Sequence, residues 1–479
     1  MSGEIAVKRQ FIRVRSGGLL VAAAALAAGP GCIHLHSAPS SAQLAGKAMP
    51  HVAVPAQWIA QGTSPEAVQS GWLSELKDPA LEALAAEALT YNPDLQVAQA
   101  RVEQSRILMD AAGGALQPTL AAAGKGGGKL GADASGVRGA FLLASWEIDV
   151  WGRIRYGRMA ASAQYSSAVA DAAYARQSLV ASLARAWFGA KELTAQIDLT
   201  QKSVDSAQQL VTLTQVRARV GRANDGDVAA AEAAVAGYQD SLRELIRARA
   251  QAQRAIETLL GRYPAAELAV SADLPPAPPA AAAGLPSQLL ERRPDVIAAQ
   301  QRVAVAFART EEASAARFPQ ISLTAAIGTI SSEVFLLKNV SNPLWSVGAE
   351  FAAPIWTGGR LQAAVSARAA EQQAASADFA RIGARSFADV ENAIDAEAAL
   401  RERAAYAAAA LAAQRRALGV TEVEFRVGRT DERPVVQQQL RVRAAEMNAL
   451  HIHAETLSQR VMLHLALGGD FGAAAAPSS

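Results

Sequence analysis

Apolar residues return every seven positions along the longest stretch of the chain that lacks proline. The positions in this first seam are Leu183, Ala190, Ile197, Val204 and Val211. A sustained seven-residue spacing is typical of helices that coil around a neighbouring helix. We therefore predict one uninterrupted helix over Arg153–Arg219, which would be about 100 Å long at about 1.5 Å per residue.

A second helix is expected after a glycine-containing break at 221–226. Its seam positions are Ala231, Tyr238, Leu245, Ala252 and Leu259. Small residues in both seams allow close approach, so the two helices are expected to form an antiparallel coiled hairpin. The second half of the chain repeats this layout over Gly359–Val427 and Pro434–Ala466.

Short segments with period-two alternation lie before the long helices. In Phe141–Trp151 the even positions are apolar, and a matching face is expected at 349, 351, 353 and 355. The preceding strands are predicted at 119–129 and 320–332. This pattern is typical of transmembrane barrel strands, but a soluble half-buried sheet gives the same alternation.

The chain contains an internal duplication. Asn92-Pro93-Asp94 returns as Arg293-Pro294-Asp295 at an offset of 201, whereas Gly152-Arg153 returns as Gly359-Arg360 at an offset of 207. The change in offset places a six-residue insertion between Pro319 and Gly359.

The predicted organisation has six parts. They are a signal peptide at 1–31, a lipid-anchor or tether segment at 32–57, a first repeat at 58–274 (hairpin about 119–150, long helices about 152–260), a Pro-rich linker at 275–290, a second repeat at 291–468 (hairpin about 320–355, long helices about 359–466), and a flexible C-terminal tail at 469–479.

The number of strands constrains the assembly. Two hairpins give four strands, whereas the smallest barrels need about eight. Open sheet edges are not tolerated against hydrocarbon. If the strands enter a membrane, several copies of the chain must therefore combine them into one barrel.

The N-terminus resembles an export signal. Four cations and one anion precede a twelve-residue run of apolar and small residues at 17–28, which is too short to span a bilayer as a helix. Cys32 follows at the position of a bacterial lipoprotein processing site, so we expect it to carry a lipid; the alternative is ordinary cleavage that leaves a free thiol. Without residues 1–31 the chain has 42 cations against 43 anions, which removes the compositional support for nucleic-acid binding.

The sequence offers little for catalysis or cofactors. A single cysteine excludes an intramolecular disulfide and a cysteine-cluster metal site. His451 and His453 would project from different sides of a helix, which does not favour a shared metal ion. The glycine-rich run at 124–130 lacks the Ser or Thr of a phosphate loop. We expect no enzyme activity, no cofactor and no metal.

An ordered set of motifs resembles the outer-membrane efflux proteins, the TolC-like family, and especially its OprM- and NodT-like lipoprotein branch. The motifs are Cys32 after the leader, Asp78-Pro79, Asn92-Pro93-Asp94-Leu95, Pro118-Thr119-Leu120, Trp146-Glu147-Ile148-Asp149-Val150-Trp151-Gly152-Arg153, Arg292-Arg293-Pro294-Asp295, Phe318-Pro319, Pro354-Ile355-Trp356, Gly358-Gly359-Arg360 and Phe425-Arg426-Val427-Gly428. The resemblance covers about Trp58 to Gly468.

The resemblance implies a mainly helical fold with a small transmembrane β part. Three chains would form a twelve-stranded barrel in the outer membrane, continued by a periplasmic α-helical barrel. The protein would conduct substrates passively after docking with a periplasmic adaptor and an inner-membrane RND-type pump. Its partners would be two further copies of itself, the adaptor, the pump and outer-membrane lipid.

The resemblance also places the periplasmic entrance at the two loops that join the long helices. Gly221, Arg222, Gly428 and Arg429 would form the tip turns that contact the adaptor. The candidates for an acidic gate are Asp225, Asp227, Asp431 and Glu432. Helix capping by these acids is the alternative interpretation, and Pro434 in a first helical turn fits it.

Two other functions remain compatible with the sequence. One is a soluble periplasmic coiled-coil adaptor or scaffold in which the hairpins form an ordinary sheet. The other is a type I protein secretion channel, because a passive duct has no shaped pocket that identifies its cargo. The tandem arrangement of two coiled hairpins favours the duct over the adaptor.

Overall fold

The computed structural model describes residues 35–60, 68, 71–125, 138–279, 281–331 and 343–471. They form two compact units. One unit contains the strands, within 119–153 and 318–354, and the other contains the helices. The predicted signal peptide and Cys32 lie outside the described residues.

Ten α-helices are described in these residues, and we number them in chain order. They are α1 Ser41–Ala48, α2 Trp72–Glu75, α3 Pro79–Tyr91, α4 Pro93–Gly114, α5 Arg153–Arg219, α6 Asp225–Leu259, α7 Leu289–Arg292, α8 Pro294–Ala315, α9 Arg360–Arg426 and α10 Arg433–Ala466. In the part of the chain that is described, none of the helices combines the length and the apolar character needed to cross a membrane.

The helices of the two halves correspond in length and order. α4 and α8 have 22 residues each, and α5 and α9 have 67 residues each. The heptad seam of α5 faces inward, since Leu183, Ala190 and Val204 are buried. Proline-free sequence and a buried apolar seam together explain why such long helices are continuous.

In each half, a side chain at the start of one helix donates a hydrogen bond to the backbone at the end of another. The side-chain amide of Asn92, which caps α4, donates to the carbonyl of Leu259 at 2.9 Å. Its counterpart Arg293, which precedes α8, donates to the carbonyl of Ala466 at 3.3 Å. The last residue of α6 is therefore tied to the start of α4, and the last residue of α10 to the start of α8.

A glycine makes each of these contacts possible. Gly261 has a φ of 73°, and a Cβ there would lie 2.7 Å from the carbonyl oxygen of Tyr91. Gly468, its counterpart in the second repeat, has a φ of 67°, and its Cβ would lie 3.2 Å from backbone atoms of Arg292. Only glycine combines a left-handed φ with so close an approach of two backbones.

The core of the helical unit contains a buried ion pair. Asp78 caps α3 by accepting from the amide of Leu81 at 3.1 Å, and its other carboxylate oxygen accepts from Lys191 Nζ at 2.7 Å and Trp187 Nε1 at 2.9 Å. Burial alone would raise the pKa of Asp78, but the hydrogen bonds from Lys191, Trp187 and Leu81 bring it below its ordinary value. The pair fixes α3 on the middle of α5.

The predicted tether and linker are partly packed against the helices. Leu44 of α1 and Met49 are buried with Phe379 of α9. In the linker, Ala281 and Ala283 are buried, and α7 already begins at Leu289. Apolar side chains in both segments find partners on α9 or α10, which the local sequence alone does not indicate.

The four strands form one antiparallel sheet in the order β1-β2-β3-β4. Their bounds are β1 Thr119–Lys125, β2 Arg138–Ile148, β3 Gln320–Ser331 and β4 Pro343–Ala352. β2 ends before the predicted end at Trp151, whose indole Nε1 instead donates to the carbonyl of Pro319 at 2.7 Å. Of the predicted positions on the fourth strand, 349 and 351 lie in β4, while 353 and 355 follow it.

The register places the predicted apolar positions on one face of the sheet. Paired residues in antiparallel strands project to the same side. The rows of this apolar face are Ala122, Leu142 and Ile327 with Trp345; Leu120, Ala144 and Ala325 with Val347; Trp146 and Leu323 with Ala349; and Ile148 and Ile321 with Phe351. Trp345, Val347 and Phe351 are 78%, 77% and 68% exposed in the single chain, so the part of the chain that the structure describes leaves these side chains uncovered.

Candidate functional site

Two loops join the long helices, residues 220–224 between α5 and α6 and residues 427–432 between α9 and α10. Gly221 and Gly428 have φ values of 71° and 75°. In both loops the backbone amide of the residue after the glycine donates to a carbonyl five residues earlier. The amide of Arg222 donates to the carbonyl of Arg217 at 2.8 Å, and the amide of Arg429 donates to the carbonyl of Glu424 at 2.9 Å. These are Schellman ends, and their glycines are required by the turn itself.

The acids of the first loop lie at the start of α6. Asn224 caps this helix, accepting from the amide of Asp227 at 2.9 Å, while the Asp227 carboxylate accepts from the amide of Asn224 at 3.0 Å. Asp225 is exposed in the first turn, where a negative charge is favourable to the helix dipole. In this chain Asp227 therefore serves in a capping box.

The acids of the second loop contact the first repeat. Asp431 forms an ion pair with Arg217 near the end of α5, and it also accepts from the amide of Arg433 at 3.2 Å. Glu432 accepts from the side-chain amide of Gln209 at 2.6 Å. These two acids therefore connect the second repeat to a helix of the first.

The four candidate acids thus have two different environments. The first pair is held at the start of its own helix, whereas the second pair reaches across to α5. The tip residues Gly221, Arg222, Gly428 and Arg429 are all exposed. The side chain of Arg217 also donates to the carbonyl of Arg222 at 3.4 Å, which links it to both loops.

Further contacts between α5 and α10 continue away from the loops. Arg443 donates to the carbonyl of Lys202 at 2.7 Å and also contacts Ser206 Oγ. Nearer the middle of the helices, His451 Nδ1 lies 2.8 Å from Glu192 Oε1. Along this series of contacts the residue numbers fall on α5 while they rise on α10, so the two helices are antiparallel. They form a seam between the two repeats. Sequence patterns did not reveal it, because the partners belong to different repeats.

The environment of Glu192 is set by burial and by histidine. Burial raises the pKa of Glu192, and the hydrogen bond with His451 opposes this without cancelling it. Gln196 also donates to Glu192 Oε1 at 2.7 Å. His453 points elsewhere, with Nε2 lying 2.8 Å from the carbonyl oxygen of Pro275. The two histidines therefore have separate partners.

Two other features noted in the sequence lie wholly or mostly outside the described residues. Cys32 is not among the described residues, and neither is most of the glycine-rich run at 124–130. Within the described ranges there is no group of three or more His, Cys, Asp or Glu residues arranged to hold a metal ion. The site is thus a set of turns and charged contacts at the ends of paired helices.

Comparison with known protein families decides the assignment. The family model described as "Outer membrane efflux protein" matches residues 84–262 and 285–469, one segment in each repeat. The chain belongs to the outer membrane efflux protein family. Its place in the cell is accordingly the outer membrane, and its role is efflux.

Curated relatives of this outer membrane efflux protein align along most of the chain. The pyoverdine export outer membrane protein OpmQ of Pseudomonas aeruginosa is 29% identical over 439 residues, 88% of this chain and 92% of OpmQ. The toluene efflux pump outer membrane protein TtgF of Pseudomonas putida is 30% identical over 416 residues, 84% of this chain and 85% of TtgF.

A solved structure agrees with the fold. The open state of the MtrE outer membrane channel of Neisseria gonorrhoeae superposes with a TM-score of 0.78 at 28% identity, covering 91% of this chain and 98% of that chain. The predicted TolC-like, mainly helical fold is confirmed at this level. The alternative of a soluble periplasmic adaptor is wrong, because the matching family is one of outer-membrane transport proteins.

Proposed function

We propose that this outer membrane efflux protein is the passive exit conduit of a tripartite pump. Three copies would close their sheets into a twelve-stranded barrel and combine their long helices into a periplasmic tunnel. A periplasmic adaptor would join the tunnel to an inner-membrane RND-type transporter, which supplies the energy. The chain itself would act as no enzyme and carry no cofactor.

The sheet is the observation that carries this proposal. Among the described strands, β1 and β4 are each paired on one side only. One face of the sheet is lined with exposed apolar side chains, among them Trp345 and Phe351. A sheet with two open edges and an uncovered apolar face fits a bilayer only if neighbouring copies pair with those edges.

The loops of the helical hairpins are the proposed entrance. Asp431 and Glu432 would hold the second repeat against α5 through Arg217 and Gln209, which keeps the entrance narrow. Separation of these contacts would let α9 and α10 move away from α5. The exposed turns at Gly221–Arg222 and Gly428–Arg429 would present the surface that the adaptor contacts, while Asp225 and Asp227 would stabilise the start of α6.

Cys32 is the proposed lipid attachment site. It directly follows the predicted signal peptide, and the chain continues from it to α1, whose Leu44 is buried against α9. An acyl chain at Cys32 would add a second attachment to the membrane beside the barrel. Metabolic labelling with palmitate would mark the wild-type protein, and Cys32→Ala would remove the label.

The function can be tested in a reconstituted membrane. Protein purified in a mild detergent is expected to have the mass of three chains and to form ion-conducting channels in planar bilayers. In cells, deletion of the gene is expected to increase sensitivity to small toxic compounds without altering the energised state of the inner membrane.

The contrary results are equally clear. A monodisperse monomer that forms no channel would remove the conduit. Unchanged susceptibility of the deletion strain to drugs, metals and detergents would remove its role in efflux. Loss of secreted protein with unchanged drug susceptibility would instead favour a type I secretion channel.

A further inference from the structure

The face of the sheet opposite the apolar face changes character along the strands. Near the starts of β1 and β3 its rows are polar: Glu147, Ser322 and Glu350 in one row, and Thr119, Ser145 and Thr324 with Gly348 in the next. Further along, toward the hairpin ends, the rows become Ala121, Leu143 and Ala326 with Ser346, and then Ala123, Phe141 and Gly328 with Leu344. The first two rows are therefore mostly polar, whereas the next two are apolar except for Ser346.

Three large apolar side chains stand in these last two rows of the second face. Leu143 and Leu344 are 41% and 46% exposed in the single chain. Phe141 lies beside them, because Gly328 is the register partner of both Phe141 and Leu344. We call Phe141, Leu143 and Leu344, with the alanines of the same two rows, the collar.

The glycines beside Phe141 determine where its ring lies. A Cβ at Gly139 would be 2.8 Å from ring atom Cε2, and a Cβ at Gly328 would be 2.5 Å from ring atom Cδ1. Real side chains cannot approach that closely, so the ring lies over Gly139 of its own strand and Gly328 of the neighbouring strand β3. An aromatic side chain over a cross-strand glycine is a stable arrangement in antiparallel sheets. Here it supplies an apolar surface close to the sheet.

We propose that the collar lines the inside of the conduit near its exit, and that it favours the passage of apolar and amphipathic organic solutes over small ions. This inference rests on the proposed trimeric barrel, in which the apolar face contacts lipid and the opposite face lines the lumen. Three copies then bring nine large apolar side chains into two adjacent rows. An apolar stretch of the lumen wall offers hydrated ions no polar partners, whereas it can contact solutes that carry apolar surface.

The collar predicts a specific pattern of channel block. In planar bilayers, tetrabutylammonium is expected to inhibit potassium current far more strongly than tetramethylammonium, because its butyl groups contact the collar. The double variant Leu143→Gln/Leu344→Gln is expected to reduce that ratio and to raise potassium conductance by about threefold, since hydrated ions then meet polar side chains. Recordings are made in an Arg217→Ala background, in which the proposed entrance is expected to be open for a larger fraction of the time.

A matched variant separates the collar from general changes in pore size. Thr324→Gln introduces the same side chain on the same face, but in a polar row. It is expected to keep the wild-type block ratio. Equal block ratios and conductances in all three proteins would overturn the collar while leaving the conduit in place. Failure of the wild-type protein to form any channel would overturn the proposed function, and the collar with it.

Thiol reactivity provides a second test that does not depend on the entrance. Cysteines introduced as Leu143→Cys and Ser145→Cys lie on the same face of β2, one in the collar and one in a polar row. The first is expected to react preferentially with neutral N-phenylmaleimide, and the second with a sulfonated methanethiosulfonate. The ratio of the N-phenylmaleimide rate to the methanethiosulfonate rate should be about tenfold higher at position 143 than at position 145, because the charged reagent must be desolvated at the collar. Equal ratios would contradict the collar, and the parent protein measures any reaction of Cys32.

Discussion

The buried pair of Asp78 and Lys191 shows how much a single residue contributes to this fold. Both side chains are almost fully buried, and the carboxylate accepts three hydrogen bonds, one from α3 and two from α5. An ion pair of this kind is costly to form, yet removing one partner leaves the other as an uncompensated buried charge. The Asp78–Lys191 pair therefore strongly favours one position of α3 on α5.

Replacing Asp78 by asparagine should destabilise the helical unit. Asp78→Asn keeps an oxygen that can cap α3 but leaves Lys191 without its counter-charge, so we expect a loss of about 3–5 kcal/mol. Thermal unfolding of the detergent-solubilised protein measures it. Asp378→Asn is the control, because its ion pair with Arg381 is exposed on the surface of α9. A similar, small effect of both variants would contradict the role of Asp78.

Removing Arg217 should loosen the proposed entrance without unfolding the protein. Its ion pair with Asp431 is partly exposed, so its contribution is about 0.5–1 kcal/mol. Loss of that contribution shifts an equilibrium between closed and open forms by about two- to fivefold. Single-channel recordings of Arg217→Ala should therefore show more frequent openings. Arg247→Ala breaks an exposed pair within α6 and should leave gating unchanged; identical behaviour of both variants would argue against the entrance contact.

Among the elements, the ends of the long helices are held by specific polar contacts. The carboxylate of Glu257 accepts from the amides of Ala266, Glu267 and Leu268 at 2.7, 2.8 and 3.0 Å. Burial would raise the pKa of Glu257, but these backbone amides stabilise the charged form and lower it below 4.5. One side chain thus folds the segment after α6 back onto the helix.

The state of this segment should depend on pH in the acidic range. Because the folded pKa lies below the ordinary one, the contribution of Glu257 is fully present above about pH 4.5 and is lost as the pH falls through the folded value. Hydrogen exchange of the amides at 265–268, corrected for intrinsic rates, should show protection at pH 7 that disappears on acidification. In Glu257→Gln this protection should already be lost at pH 7, because the hydrogen bonds to the charged carboxylate contribute about 1.5–3 kcal/mol to the stability of the segment. Glu267→Gln, which alters an exposed side chain, should behave like the wild type.

The elements also show which features local sequence can predict. The long helices follow from proline-free heptads, and the turns follow from Gly221 and Gly428 because their φ values are needed locally. The capping box of Asn224 and Asp227 likewise depends on residues close together in the chain. By contrast, the pairing of Asp431 with Arg217 depends on how α10 packs on α5, and no local pattern encodes a contact between the two repeats. The docking of α1 on α9 was missed for the same reason.

On the scale of the whole molecule, the open edges of the sheet have the largest consequence. β1 and β4 offer unpaired backbone groups, and we have proposed that neighbouring copies satisfy them. The internal duplication would then give a trimer six related helical hairpins around its axis. Each copy would contribute one hairpin of each kind, joined within the chain by the α5–α10 contacts.

Cysteines on the two edge strands should link neighbouring copies. Ala121→Cys combined in turn with Ser346→Cys, Gly348→Cys or Glu350→Cys places thiols on the same face of β1 and β4. In at least one combination we expect oxidation to produce covalent dimers and trimers on a denaturing gel. The pair Leu143→Cys and Ala326→Cys joins β2 to β3 within one copy and should stay monomeric. Absence of a ladder in all three combinations would contradict the barrel.

The equal length of α5 and α9 restricts how this protein can change during evolution. The two repeats are held in one register by contacts that extend from Glu192–His451 to Arg217–Asp431. A deletion in α5 or α9 alone would therefore move the two helix-joining loops out of alignment. The protein can be shortened only when α5 and α9, and the α6 and α10 that follow them, lose the same number of residues. The loss must be in whole heptads, because these preserve the coiled-coil seam. Insertions and deletions in the long helices of related genes should therefore occur together in all four of them, α5, α6, α9 and α10.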